Sequence, residues 1–117
     1  MKYTLDKVQT EWIRKHAKSK GLKVKLEYMN PFDFLCKVPH FVTTLVPLCV
    51  DLKDKYFDSG SLKSIEYALK HKIPLPPLIL NYSNMWYGYP SHEGRHRAYV
   101  CYKLGVKKVP VLIIRES

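Results

Sequence analysis

The sequence predicts a single compact domain of the α+β class, and three observations support this. The chain has 117 residues and a mass of 13.7 kDa, which is the size of one ordinary domain. Its hydrophobic content of 46% is high enough to build a buried core, unlike that of disordered chains. Helical and strand-like patterns also follow one another along the chain, an order that fits α+β and would also fit α/β.

The first half of the chain begins with a predicted amphipathic, basic helix over Leu5–Lys20, which Gly21 would end. Residues Leu22–Tyr28 then alternate between apolar and polar side chains, as a half-buried strand does. A short apolar piece, Phe32–Leu35, follows without an assigned structure. The β-branched stretch Thr43–Leu52 predicts a strand, and its internal proline favours an edge or a bulge.

The second half predicts two helices and three strands. Apolar spacing indicates one helix from Leu62 to about Lys72 and another over Arg95–Leu104, the second ended by Gly105. The predicted strands are Leu78–Leu80, Met85–Tyr89 and Val109–Ile114, with Asn81–Asn84 as the turn of a hairpin between the first two. The last strand is apolar throughout, which predicts burial on both faces.

The net charge of +10 points to polyanionic partners such as nucleic acid or nucleotides. The surplus lies at the two ends, since residues 1–25 carry +6, residues 26–70 carry −1 and residues 71–117 carry +5. Within the first predicted helix, Lys15 and Lys18 are candidates to lie along a nucleic-acid backbone, although a solvated helix face is the more common reason for such charge.

Cysteine content and hydropathy predict a cytoplasmic protein. The three cysteines are odd in number, widely spaced and without a C-x-x-C pair, which fits a reducing compartment. No stretch approaches the ~20 apolar residues needed to cross a bilayer, and the first residues lack a secretory h-region. A membrane partner is therefore not expected.

The most informative motif is His92-Glu93-Gly94-Arg95-His96-Arg97, between a predicted strand and a predicted helix. A helix N-terminus offers unpaired N–H groups and a positive dipole end, both of which favour a bound phosphate. Gly94 would permit a positive φ, while Arg95 and Arg97 supply donors that match phosphate oxygens. The same letters also fit an exposed basic turn with solvated arginines.

The first five letters of this motif also match H-E-x-x-H, a zinc-hydrolase signature. That signature needs both histidines on one helix, with a third ligand elsewhere. Pro90 precedes the motif and Gly94 interrupts it, so the sequence disfavours such a helix. Zinc hydrolysis is accordingly a minor alternative, and no zinc ligand is assigned.

Four stretches together resemble the ParB-like nuclease domain of the ParB/sulfiredoxin superfamily. Ile73–Leu80 is similar to the family's proline-containing strand start, and Glu93–Ala98 to its (D/E)-G-x-x-R-x-x-A phosphate motif. Leu104-Gly105 ends the helix, and Val109-Pro110-Val111 opens the last strand, both in the family's order. The resemblance covers Leu62–Ile114, and Leu45-Val46-Pro47-Leu48 is similar to the family's first strand. Residues 42–117 would form the ParB/sulfiredoxin-like domain, with residues 1–41 as an N-terminal extension packed on it.

The resemblance implies a small mixed sheet flanked by helices, with Gly94 and Arg97 lining a pocket for phosphate. Related sulfiredoxins carry a catalytic cysteine in the motif Gly-Cys-His-Arg, whereas this chain has Gly94-Arg95-His96-Arg97. Arg95 stands where the thiol would be, so sulfinic-acid reduction is not expected.

Two functions of different classes follow from these residues. The first is nucleic-acid binding, with DNA preferred to RNA, through Gly94, Arg95, His96 and Arg97. This function would extend to a nuclease reaction in which Glu93 or His96 acts as the base, or in which Glu93 holds Mg²⁺. Aromatic residues next to this site would stack on bases or would equally pack across a hairpin; they are Tyr82, Trp86, Tyr87 and Tyr89.

The second function is a nucleotide-binding switch or small-molecule kinase that holds the phosphates of CTP or ATP in the same pocket. A non-catalytic adaptor with a basic docking surface is a further alternative, and a homodimer is compatible with each of them. Whether the chain is an enzyme is left open by the sequence.

Overall fold

A four-stranded mixed sheet organises the protein in the computed structural model, which describes residues 1–37, 59–83 and 92–116. Its strands are β1 (Leu22–Met29), β2 (Leu78–Asn81), β3 (His92–Glu93) and β4 (Val109–Glu116), in the spatial order β1-β4-β2-β3. Strand β4 pairs antiparallel with β1 and parallel with β2, while β2 pairs antiparallel with β3. The expected single α+β domain with a small mixed sheet is therefore confirmed.

The four helices of the described residues cover both faces of this sheet. They are α1 (Lys7–Ser19), α2 (Pro31–Lys37), α3 (Ser59–Lys70) and α4 (Arg95–Lys103). Helix α1 packs on one face and forms a core of Ile13, Ala17, Leu22, Ile79, Leu112 and Ile114. Helices α2, α3 and α4 pack on the opposite face, where the core includes Phe34, Leu69, Leu78, Leu80, Ala98, Cys101 and Val111.

Helix α1 forms as its sequence pattern predicts, but it begins later than expected. Asp6 is the N-cap, and its side chain accepts a hydrogen bond of 3.1 Å from the Gln9 backbone N–H. Leu5 instead forms a parallel bridge with Leu75, supported by a 2.8 Å hydrogen bond from the Asp6 N–H to the Leu75 carbonyl. This tertiary pairing holds residue 5 in an extended conformation and excludes it from the helix.

Helix α2 was not assigned from the sequence, which showed only a short apolar piece at Phe32–Leu35. Pro31 occupies the first helical position, where its missing N–H costs nothing. The Asn30 side chain accepts a 2.8 Å hydrogen bond from the Phe32 N–H, and Phe34 and Leu35 are buried. A helix of seven residues is too short for periodicity to show, so the capping residues were its real signal.

Strand β2 extends one residue beyond the predicted strand Leu78–Leu80. Asn81, expected in the turn, is the last residue of β2, and its side chain accepts a 2.9 Å hydrogen bond from the Ser83 N–H. On the side of β2 away from β4, the neighbouring strand is β3, in which Glu93 lies opposite Ile79. The predicted strands Met85–Tyr89 and Thr43–Leu52 lie outside the described residues.

The N-terminal residues contribute directly to the sheet. Strand β1 pairs with β4 along its whole length, from Leu22 opposite Glu116 to Met29 opposite Val109. The alternation predicted for β1 is confirmed for Leu22, Val24 and Leu26, which face α1, whereas Tyr28 at its end is exposed. Strand β4 is buried from Val109 to Leu112, as its apolar sequence predicts.

Within the described ranges, every helix is too short or too polar to span a membrane.

Candidate functional site

The turn between β3 and α4 places a glycine where no other residue fits without strain. Gly94 is the N-cap of α4 and is buried, with φ 105° and ψ 20°. A Cβ atom here would lie 2.8 Å from Cγ of Leu78 and 3.0 Å from Nη2 of Arg97. The left-handed backbone and the lack of space therefore both require glycine, as the motif predicted.

The first turn of α4 is unusually basic for a helix start. It contains Arg95, His96 and Arg97 and no acidic residue, and Gly94 has no side chain with which to cap the helix. Positive side chains at this end oppose the helix dipole, which favours an anion there. Arg95 is exposed at the first helical position, whereas His96 is half-buried and already has an interaction partner. The exposed Arg95 and the dipole together make this end attractive to an anion.

Arg97 lies deeper, with its guanidinium beneath Gly94 and against the start of β2. Its Nη2 donates a 3.2 Å hydrogen bond to the Pro77 carbonyl, and its Nε is buried without a hydrogen-bond partner. The Tyr3 phenol lies close to the Arg97 guanidinium, and its hydroxyl donates to the Pro76 carbonyl. Arg97 therefore links α4 to the start of β2 through one hydrogen bond that it donates, and it lies next to the N-terminal segment through the Tyr3 phenol.

The groups around Arg97 do not neutralise its charge. Burial raises the pKa of the Tyr3 phenol, although the Arg97 charge acts in the opposite direction. Burial likewise raises the pKa of the Cys101 thiol to about 12, again against the influence of Arg97. Both groups are neutral at physiological pH, and among the described residues Arg97 has no carboxylate partner. A half-buried charge without a counterion is costly, so this position favours a bound anion.

The predicted catalytic pair, Glu93 and His96, lies on either side of Gly94. Glu93 is exposed at the end of β3, while His96 is half-buried in the first turn of α4. Across the described ranges, no three His, Cys, Asp or Glu side chains come together as a metal site. Mg²⁺ is usually held by one or two carboxylates together with substrate phosphates, so Glu93 would hold it only together with a bound phosphate.

The zinc-hydrolase geometry is not formed by the backbone. His92 belongs to β3 and His96 to α4, with the left-handed Gly94 between them. The two histidines therefore do not share one helix face, which that signature requires.

The predicted nucleic-acid contacts are not all on one side of the molecule. Lys15 and Lys18 are exposed on α1, which packs on the opposite face of the sheet from α4. The structure therefore does not bring them together with the Gly94 turn. Trp86 and Tyr87 lie outside the described residues.

Sequence reasoning missed the residues that surround Arg97. Tyr3 and Pro76 are 73 residues apart in the chain and meet only because residues 4–6 pair with Leu75. No local pattern could have revealed this neighbourhood, since Tyr3 precedes the first helix and looks like an ordinary terminal aromatic residue.

Comparison with protein-family models, with curated proteins and with solved structures gave no match to this chain.

Proposed function

We propose that this protein binds DNA and that one DNA phosphate occupies the turn between β3 and α4. The observation that carries the proposal is the basic first turn of α4, where Arg95 is exposed at the helix N-terminus and Arg97 behind it has no carboxylate partner among the described residues. The exposed Arg95 adds a second guanidinium at the same helix end. The net charge of +10 supports a polyanion as the ligand.

The depth of Arg97 favours a second candidate function. A phosphate within a polynucleotide carries sugars on both sides and reaches exposed donors such as Arg95 more easily than a half-buried one. The terminal phosphate of a free nucleotide such as CTP or ATP is smaller and would fit closer to Arg97. Nucleotide binding at the same turn is therefore the alternative function. The salt dependence of the binding affinity distinguishes it from DNA binding.

The test uses fluorescence anisotropy of labelled single- and double-stranded DNA and of a labelled nucleotide, at two salt concentrations. Arg95→Ala is the site variant because Arg95 is exposed, and Lys103→Ala is its matched control because it removes one charge from the other end of α4. Arg95→Ala should weaken DNA binding and lower the salt slope by about 0.7–0.9, while Lys103→Ala should leave both unchanged.

The outcomes distinguish the candidates. Equal losses in Arg95→Ala and Lys103→Ala would mean that binding follows net charge and not this turn. Nucleotide binding with little salt dependence, without DNA binding, would select the alternative. Cleavage is measured in the same samples with Mg²⁺ added, and its loss in Glu93→Gln, with DNA binding retained, would assign Glu93 to a nuclease reaction.

A further inference from the structure

A basic surface with one aromatic side chain lies on the same sheet face as α4, at the far end of the strands. Strand pairing places Lys23 opposite Arg115 and Lys25 opposite Ile113. The Tyr82 N–H donates a 2.8 Å hydrogen bond to the Ile114 carbonyl, which continues the parallel pairing and sets Tyr82 beside Arg115. We call the set Lys23, Lys25, Tyr82 and Arg115 the sheet platform.

These side chains share one face because strand residues alternate. Leu22, Val24 and Leu26 face α1, so Lys23 and Lys25 must face the other side. That is the side covered by α2, α3 and α4, yet Lys23, Lys25 and Arg115 are exposed. The described helices therefore leave this end of the face open.

The sheet platform is organised for a flat, negatively charged ligand. The Arg115 guanidinium lies 4.5 Å from the centre of the Tyr82 ring, a cation–π contact that holds both groups in place. Tyr82 is still 47% exposed. The lysines and Arg115 border a groove of about 290 Å³, whose floor includes the half-buried Ile113. Among the described residues, Glu27 is the one acidic side chain along that groove.

Charge complementarity and the exposed aromatic ring favour one kind of ligand. Lys23, Lys25 and Arg115 have no carboxylate partner among the described residues, so each can contact a phosphate. A tyrosine on an open sheet can stack only on a base that is free of its own neighbours, and such bases occur in single strands. A duplex would offer the phosphates but not the bases.

We infer that the sheet platform binds single-stranded nucleic acid, with phosphates along Lys23, Lys25 and Arg115 and one base stacked on the Tyr82–Arg115 pair. The inference rests on the proposed function in taking nucleic acid as the ligand, and it narrows that ligand to single strands. Leu78 contacts the Gly94 turn and precedes Tyr82 by four residues, so the two sites are roughly 13 Å apart along β2. One single strand can therefore reach both.

The experiment measures anisotropy of a labelled 12-nucleotide oligothymidylate and of a duplex of the same length. The variants are Tyr82→Ala, Tyr82→Phe, Lys23→Ala/Lys25→Ala and, as the matched control for two lost charges, Lys15→Ala/Lys18→Ala on α1. Tyr82→Ala should weaken single-strand binding roughly five- to a hundredfold, and Tyr82→Phe, which keeps the ring, should retain it. The Lys23/Lys25 variant should lower the salt slope by about 1.4, and the Lys15/Lys18 variant should leave it unchanged.

Three results would overturn the inference: tighter binding of the duplex than of the single strand by the wild type, equal affinities of Tyr82→Ala and Tyr82→Phe, or a larger loss in Lys15/Lys18 than in Lys23/Lys25. Arg95→Ala distinguishes failure of the sheet platform from failure of the proposed phosphate site at the turn between β3 and α4. If Arg95→Ala weakens binding and the platform variants do not, the turn stands and the platform is wrong. If only the platform variants weaken binding, the platform stands and the turn is wrong.

Discussion

The substitution Gly94→Ala tests the closest approach between α4 and β2. Gly94 has a φ of 105°, and an added Cβ would meet Leu78 at 2.8 Å and Arg97 at 3.0 Å. Gly105 is the matched control, because its φ is 77° but no atom lies within 4 Å of a Cβ there. Left-handed strain costs both variants about 1–2 kcal/mol, and overpacking adds about 1–3 kcal/mol at Gly94 alone.

Gly94→Ala should therefore lower the free energy of unfolding by about 2–5 kcal/mol, against about 1–2 kcal/mol for Gly105→Ala. For a domain of this size, the difference corresponds to a melting midpoint roughly 4–12 °C lower for Gly94→Ala than for Gly105→Ala. Thermal unfolding followed by circular dichroism measures both. Equal midpoints for the two variants would refute the close approach, because they would show that only the positive φ matters.

Three further predictions follow from the surroundings of Arg97 and from the first helix. Arg97→Met should change the free energy of unfolding by no more than about 1 kcal/mol, because it removes one hydrogen bond and also an uncompensated charge. The same variant should bind DNA more weakly. A loss of several kcal/mol in chemical denaturation would instead make Arg97 a structural residue. The free energy of unfolding should fall as pH rises from about 9 toward 12. The cause is that Cys101, with its pKa of about 12, and Tyr3 stay protonated to higher pH in the folded than in the unfolded protein. Cys101→Ala should make this decline smaller in denaturation curves measured across the same pH range. Asp6→Ala should cost about 0.5–2 kcal/mol through loss of the α1 cap without changing DNA affinity, and a parallel loss of affinity would contradict the separation of α1 from the binding sites.

The periodic elements could be predicted because their patterns are local. The alternation of Leu22–Tyr28 and the continuous apolar run from Val109 both became strands at almost the expected residues. Burial of one face is enough to produce such a pattern, whatever the rest of the fold. Helix α2 is too short for a helical repeat to be recognised in its sequence, and its start depends on Asn30 and Pro31.

Only those parts of the candidate site that are close together in the sequence could be predicted. Gly94 stands out because its neighbours are basic and a helix follows, and the structure gives it the positive φ that the motif suggested. The environment of Arg97 depends on Tyr3, and the sheet platform depends on the register that sets Lys23 opposite Arg115. Both are products of long-range pairing, which a single sequence does not encode in any local signal.

The most direct test of the phosphate turn is a ¹⁵N-resolved NMR titration of the wild-type protein with a short single-stranded DNA. If a phosphate binds at the N-terminus of α4, the backbone amide signals of Gly94, Arg95, His96 and Arg97 should shift progressively and reach saturation together, at low salt and less so at high salt. Shifts confined to α1, or a titration in which these four amides stay in place, would contradict the proposed site.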